Sequence, residues 1–168
     1  MTKITRLEKT FYRLQAQLLC LDWAFEQIES IPGVILEIGL GHGRTYQYIR
    51  RHLPDRELKV FEREVNSYED CTPPDSELII GDINSTLAAN AINFKHNAAL
   101  VNSDVGSFDK ITNLEKAALV SKLIPAYLAN NAIVLSDLPL ELEGCTALQL
   151  PGNARKDSYY LYRNSTTN

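Results

Sequence analysis

The sequence predicts an α/β fold: a doubly wound, mostly parallel sheet with a C-terminal antiparallel hairpin and an added N-terminal helix. Three observations lead there. Short β-branched runs recur after residue 33 with long segments between them, the residues before that point keep helical spacing, and two strand-like runs close the chain around a turn. Parallel neighbours need crossovers of about a dozen residues or more, whereas antiparallel ones need only a turn. With 168 residues, one domain is expected over 1–168, divided into an N-terminal helix at 3–30 and an α/β core at 33–168.

Taking the elements in order, Leu7, Phe11, Leu14, Leu18, Leu21, Phe25 and Ile28 alternate steps of four and three, which lines them along one helix face. Ser30, Pro32 and Gly33 end that helix. The spacing is a heptad seam, so it admits a homodimer through this helix. Leu19, Cys20, Trp23 and Ala24 widen the stripe and favour a helix laid on the sheet.

Strands are expected at Val34–Ile38, Leu58–Phe61, Leu78–Ile80, Ala98–Val101 and Ala132–Leu135. The connecting helices are Arg44–His52, Ser85–Phe94 and Thr112–Leu128. Pro73 and Pro74 limit the connection after the second strand to about one helical turn. Asn130 and Asn131 stand where a left-handed helix cap is needed. "CTALQLP" and "SYYLYRN", joined by "GNARKD", form the closing hairpin.

Composition narrows the function. The net charge of −4 is spread over 17 basic and 21 acidic residues, which is not the footprint of a nucleic-acid binder. No apolar run approaches the roughly 20 residues that span a bilayer, and "MTKITRLEKTFYRLQ" lacks a signal-peptide core, so no membrane partner and a cytoplasmic location are expected. Cys20, Cys71 and Cys145 are scattered, with no disulfide framework and no metal site readable.

The chemistry centres on "VILEIGLGHGRTYQYI", a strand, a glycine-dense turn and the start of a helix. Such a turn brings backbone N–H groups and a helix N-terminus against a ligand. Pyrophosphate-binding turns read GxGxxG, but counting from Gly39 and Gly41 the third position is Arg44, and Gly43 comes one residue early. Glu62, 23 residues after Gly39, ends the second strand where an acid is expected to accept ribose hydroxyls.

"EIGLGHG", an acid two residues before GxGxG, resembles the first motif of class I S-adenosylmethionine-dependent methyltransferases, which are Rossmann-like. "ELIIGDI" is similar to that family's adenine-binding step, and "YLANNAIVLSD" to its fourth helix, turn and fifth strand. Together with "VFERE" and "LYRN", the pattern is similar to a group of small bacterial methyltransferase-like proteins. The family's helix between strands five and six is missing here, replaced by "LPLELEG".

The resemblance implies S-adenosyl-L-methionine as cofactor. It implies Glu37 orienting the methionine amino group, Asp82 taking the adenine amine and Ile83 packing on the ring. Gly39, Gly41, Gly43, Thr45, Tyr46, Arg63 and Asp104 complete the candidate donor set. Asp104, after the fourth strand, is the candidate base or electrostatic contact, with His42 inside the glycine turn as a second catalytic candidate and Asn102 and Ser103 as weaker ones. Arg44 or Tyr46 could reach the methionine carboxylate.

"NSDV" is not the [DN]-P-P-[YF] of adenine or glutamine methylation, and no Pro-Cys pair serves cytosine C5 chemistry. Asp104 and Asp137 resemble the acids of magnesium-dependent catechol-type enzymes, but Leu138 replaces their asparagine, which argues against a metal. The expected activity is in-line methyl transfer to a small molecule. Two alternatives remain at this point: a non-catalytic donor-binding or interaction module of the same fold, and an NAD(P)-linked oxidoreductase.

Overall fold

A computed structural model describes residues 4–166. Helix α1 spans Arg6–Gln27 and opens with a reciprocal cap, in which Glu8 N–H donates to Thr5 Oγ1 at 3.2 Å and Thr5 N–H to Glu8 Oε2 at 2.6 Å. The helix is shorter than the expected 3–30 at both ends, and Lys3 lies outside the described residues.

The expected seam splits in two. Leu21 and Ile28 are buried, but Leu7, Phe11 and Leu18 are exposed at 80%, 58% and 45%. The face laid on the sheet is one residue round, made of Ala16, Gln17, Cys20, Leu21 and Ala24. Small side chains there let the helix axis approach the sheet, which the larger residues of the seam would prevent.

Seven strands form one sheet in the order β3-β2-β1-β4-β5-β7-β6. The first five, β1 Val34–Ile38, β2 Leu58–Glu62, β3 Leu78–Ile80, β4 Ala98–Ser103 and β5 Leu128–Ser136, are parallel. Strands β6 Cys145–Leu148 and β7 Tyr160–Asn164 make the closing hairpin, with β7 antiparallel to both β5 and β6. Every residue of β1 and β4 is buried, as strands covered on both faces require.

Helices α1 and α2, Arg44–His52, cover one face through Leu21, Ile49, Val60 and Ile133. Helices α3, Ile83–Asn90, and α4, Lys110–Leu123, cover the other through Leu87, Val120, Val101 and Val134. The connection after β2 holds one 3-10 turn, Glu69–Cys71, as its prolines demand.

Several boundaries differ from expectation: α3 runs Ile83–Asn90 rather than 85–94, and α4 runs Lys110–Leu123 rather than 112–128. Pro125 turns the end of α4 into a 3-10 segment, Ile124–Tyr127, so β5 starts at Leu128 rather than 132. Asn131, with φ 61°, therefore serves as a bulge within β5, where the register against β4 jumps from Ala98↔Leu128 to Leu100↔Ile133. The segment "LPLELEG" is an extended strap. Leu138, Leu140 and Leu142 alternate inward with exposed Pro139, Glu141 and Glu143, covering the core that a helix would otherwise cover. Tyr162 Oη accepts Leu140 N–H at 2.7 Å and Ser121 Oγ accepts Glu141 N–H at 2.9 Å, so the strap's backbone is partnered.

Candidate active site

The chain runs outward through β1, β2 and β3, then returns to place β4 on the other side of β1. Open α/β sheets form their ligand crevice at such a reversal. A hollow of about 250 Å³ lies there, lined by Gly39, Gly41, Glu62, Arg63, Asp82, Ile83 and Asp104, all predicted, and by Val105, Gly106 and Lys116, which were not.

The three glycines of the turn do different work. All have positive φ: 87° at Gly39, 51° at Gly41 and 79° at Gly43. A Cβ on Gly39 would meet the Asp104 carbonyl oxygen at 2.4 Å, which locks the turn to the end of β4. A Cβ on Gly43 would meet the Cys71 carbonyl oxygen at 2.3 Å, so this glycine packs the turn on the 3-10 segment and lies outside the hollow. At Gly41 an added Cβ meets nothing within 4 Å.

The turn's N–H groups do not point at an open site as expected. Glu62 Oε2 accepts from Leu40 N at 2.7 Å and Gly41 N at 3.2 Å, while Oε1 accepts from Arg63 N at 2.7 Å. The protein's own carboxylate thus stands where a pyrophosphate would use those donors. A second anion there would meet repulsion, which argues against a dinucleotide and suits a neutral or cationic ligand.

Behind the turn lies a buried polar cluster. Glu37 is fully buried, with Oε1 accepting from the Thr45 hydroxyl and Oε2 without a partner. Burial, with the charges of Asp104 and Glu62 adding to it, pushes its carboxyl up to about 8. Asn102 Nδ2 and Ser103 Oγ, buried in β4, also lack partners. Tyr159 Oη donates to Asn102 Oδ1 at 2.9 Å.

Asp104 is gripped by α1. Gln17 Nε2 donates to Oδ2 at 3.1 Å and to Tyr159 Oη at 3.2 Å, and Arg13 Nη1 lies 3.4 Å from Oδ1. Next to it, Asp137 accepts Val105 N at 3.2 Å and Gly106 N at 2.8 Å. Burial first, then the neighbouring Asp104 charge, pushes the Asp137 carboxyl up to about 7. The orphaned Glu37 Oε2 and two carboxyls with raised pKa make this side of the crevice receptive to positive charge, while the orphaned Asn102 Nδ2 is a donor.

Tyr46, His42 and Thr45 lie outside the lining of the hollow. Tyr46 is buried, with its hydroxyl donating to Glu77 Oε2 at 2.7 Å beside the Arg50–Glu77 ion pair, so it is a structural anchor of α2 and not a reach toward a carboxylate. His42 is exposed and stacks on Tyr68 with ring centroids 5.1 Å apart, outside the lining of the hollow. Thr45 lies outside the lining of the hollow, and so does Glu37, to whose Oε1 its hydroxyl donates. Asp82 caps α3, accepting Asn84 N at 3.0 Å, and its exposed carboxylate keeps its other lone pairs. Among the described residues, no group of three or more His, Cys, Asp or Glu side chains is placed to hold a metal.

Sequence reasoning missed Arg13, Gln17, Tyr159 and Lys116. Gln17 carried a signal: a long polar side chain between Ala16 and Cys20, on the stripe that faces the sheet. Lys116, whose Nζ donates to the Val105 carbonyl at 2.8 Å, carried none.

The model of a family described as S-adenosyl-L-methionine methyltransferase matches residues 4–164. The crystal structure of an S-adenosyl-L-methionine methyl transferase from Silicibacter pomeroyi is 38% identical, covering 96% of this chain and 99% of that one, with a TM-score of 0.93. At the level of fold alone, cofactor-bound Rv0187 from MTB is similar at 17% identity, with coverage of 98% and 83% and a TM-score of 0.56. Human methyltransferase-like protein 13, in complex with SAH, is similar at 13% identity, with coverage of 91% and 82% and a TM-score of 0.55. No curated protein matches the chain. The chain belongs to the S-adenosyl-L-methionine methyltransferase family, and it is an S-adenosylmethionine-dependent methyltransferase.

Proposed function

We propose that the donor lies in the hollow between the glycine turn and Asp104, and that the acceptor is a small molecule entering between α1 and the segment before β7. The orphaned Glu37 Oε2 carries the donor half of this reading: a buried, partnerless carboxylate oxygen is costly unless a cationic group completes it. When bound, S-adenosylmethionine supplies a methyl group activated by a positive sulfonium. Glu62, already fixed by the turn, offers its remaining lone pairs to the ribose hydroxyls. Asp82 faces the adenine amine, Ile83 and Arg63 flank the ring, and Glu37 and Asp104 sit toward the positive end.

With the donor bound, that methyl group would pass in line to the acceptor's lone pair, the carbon–sulfur electron pair returning to sulfur. The acceptor proton goes to Asp104 of the Asp104–Asp137 pair. Gln17 and Arg13 hold Asp104 in place, and such positioning can supply about 7 to 11 kcal/mol of the barrier. The bound Gln17 and Arg13 also close the crevice against large acceptors, which supports a small one.

Incubation with methyl-labelled donor and a macromolecule-free cell extract tests the reading. Label should enter a small molecule, and Asp104→Asn should lower turnover about 10²-fold or more. Label absent from this extract but entering protein or RNA in a parallel incubation with the macromolecular fraction would refute the small acceptor. Two weaker readings follow. The exposed half-seam of Leu7, Phe11 and Leu18 suits a second copy of this chain. Three free cysteines, Cys20, Cys71 and Cys145, suit the reducing cytoplasm, and no helix of the described residues is long and apolar enough to cross a membrane.

A further inference from the structure

Beside the donor hollow lies a second one, of about 450 Å³, between the first turns of α1 and the segment leading into β7. Its walls carry Lys9, Arg13, Arg155 and Lys156 against a single carboxylate, Asp157. In a chain of net charge −4, four cations in one recess mark a local reversal of sign.

The cations are held together without being neutralised. Arg155 sits over Tyr12, its guanidinium carbon 4.8 Å from the ring centroid, and among the described residues its side chain makes no hydrogen bond. Among the described residues, Lys9, Arg155 and Lys156 form no ion pair. Glu8, the nearest other acid on the helix, is occupied by the Thr5 N–H and hydroxyl in the helix cap, and the Arg155 charge adds only a small further pull on it.

Arg13 is the exception, and it connects the two hollows. It lines the basic recess, and its Nη1 is 3.4 Å from Oδ1 of Asp104, which lines the donor hollow. One ion pair therefore separates the recess from the place where the methyl group would be presented. A group anchored on the cations can direct its other end at Asp104.

We propose that this recess binds the anionic tail, carboxylate or phosphate, of the methyl acceptor, through Lys9, Arg155 and Lys156. The proposal rests on the donor reading above and deepens it by giving the acceptor a charge. A recess of this volume fits a small molecule. The overall negative charge and the single short recess disfavour a polyanion lying across the surface. Lys and Arg both bind carboxylate and phosphate, Arg by its paired N–H edge, so the shared anion is the recognised chemistry.

The test uses the full chain, methyl-labelled S-adenosylmethionine, and a macromolecule-free cell extract split by anion exchange into retained and unretained fractions. Each fraction is assayed with and without phosphatase treatment. Label should enter the retained fraction alone; loss after phosphatase identifies a phosphate tail, and persistence a carboxylate. The variant Lys9→Glu/Arg155→Glu changes two exposed positions away from Asp104. It should lower transfer about tenfold or more while S-adenosylhomocysteine affinity stays within about twofold of wild type, since paired charge contacts are lost only on the acceptor side.

Label entering the unretained fraction, or a double variant as active as wild type, overturns the anion assignment while leaving the donor reading standing. A wild-type chain that fails to bind S-adenosylhomocysteine defeats the donor reading instead. Donor binding with no label in any fraction defeats the small acceptor, and this inference with it.

Discussion

At the ends of β1 and β2 the crevice is finished by the protein itself: Glu62 takes the N–H groups of Leu40, Gly41 and Arg63, and the glycine turn is locked to Asp104 and Cys71. Deeper, toward β4 and β5, it is left unfinished. Glu37 Oε2, Asn102 Nδ2 and Ser103 Oγ have no partner, and Asp104 and Asp137 crowd two carboxyls together. Satisfied polar groups make a rigid template, whereas orphaned ones gain most from a ligand. The contrast suits a donor with an uncharged nucleoside at one end and positive charge at the other.

The largest expected effect separates packing from binding within the turn. Gly43→Ala drives a Cβ onto the Cys71 carbonyl at a left-handed φ, and should cost about 3 kcal/mol by urea denaturation, combining strain and overpacking. Gly41→Ala meets no protein atom and should cost only about 1 kcal/mol. Its main effect should be on donor affinity. Equal destabilisation by both would show that the turn has one role, not two.

Next in size, Glu62→Ala should weaken S-adenosylhomocysteine binding by about 1 to 3 kcal/mol, since the proposed ribose contact would be lost and two N–H groups of the turn freed. An unchanged dissociation constant by calorimetry would remove Glu62 from the site.

The unfinished side should respond to pH. In the folded chain Glu37 is raised from 4.5 to about 8 and Asp137 from 3.8 to about 7, so both keep protons that the unfolded chain has released. Their contribution to stability is therefore complete below about pH 4 and is lost as pH climbs toward about 8. Glu37→Gln, which mimics the protonated acid, should flatten the upper part of that decline. A cationic donor favours the ionised carboxylates, so its affinity should rise up to about pH 8 and level off, with protons released on binding. Affinity independent of pH would contradict this.

The smallest effect concerns the outer half of α1. Phe11→Glu should change stability by no more than about 0.5 kcal/mol, and if the half-seam pairs copies it should lower the sedimentation coefficient at high concentration. Identical sedimentation of both proteins would leave the face without a second copy.

What could be read before the fold was known follows a physical rule. Glu37, Glu62, Asp82 and Asp104 were legible because each stands at the carboxyl end of a β-branched run, and such ends meet at one rim of a parallel sheet. Arg13 and Gln17 were not, because their contacts with Asp104 span 91 and 87 residues and depend on the height at which α1 sits on the sheet. That height is set by Ala16, Cys20 and Ala24, of which Cys20 and Ala24 were legible as a widening of the stripe but Ala16 was not. The strap at 138–143 was unreadable for a related reason: its three inward leucines alternate as in a strand, yet no partner strand exists for it. The second job of Glu62, accepting the turn's own N–H groups, had no trace in spacing.

The most direct measurement is a crystal structure of the chain with S-adenosylhomocysteine. The account predicts the ribose on Glu62, the adenine between Ile83 and Asp82, and the amino group within hydrogen-bond reach of Glu37 or Asp104. A ligand bound elsewhere, with Glu62 still closing the turn and Glu37 Oε2 still unpartnered, would contradict it.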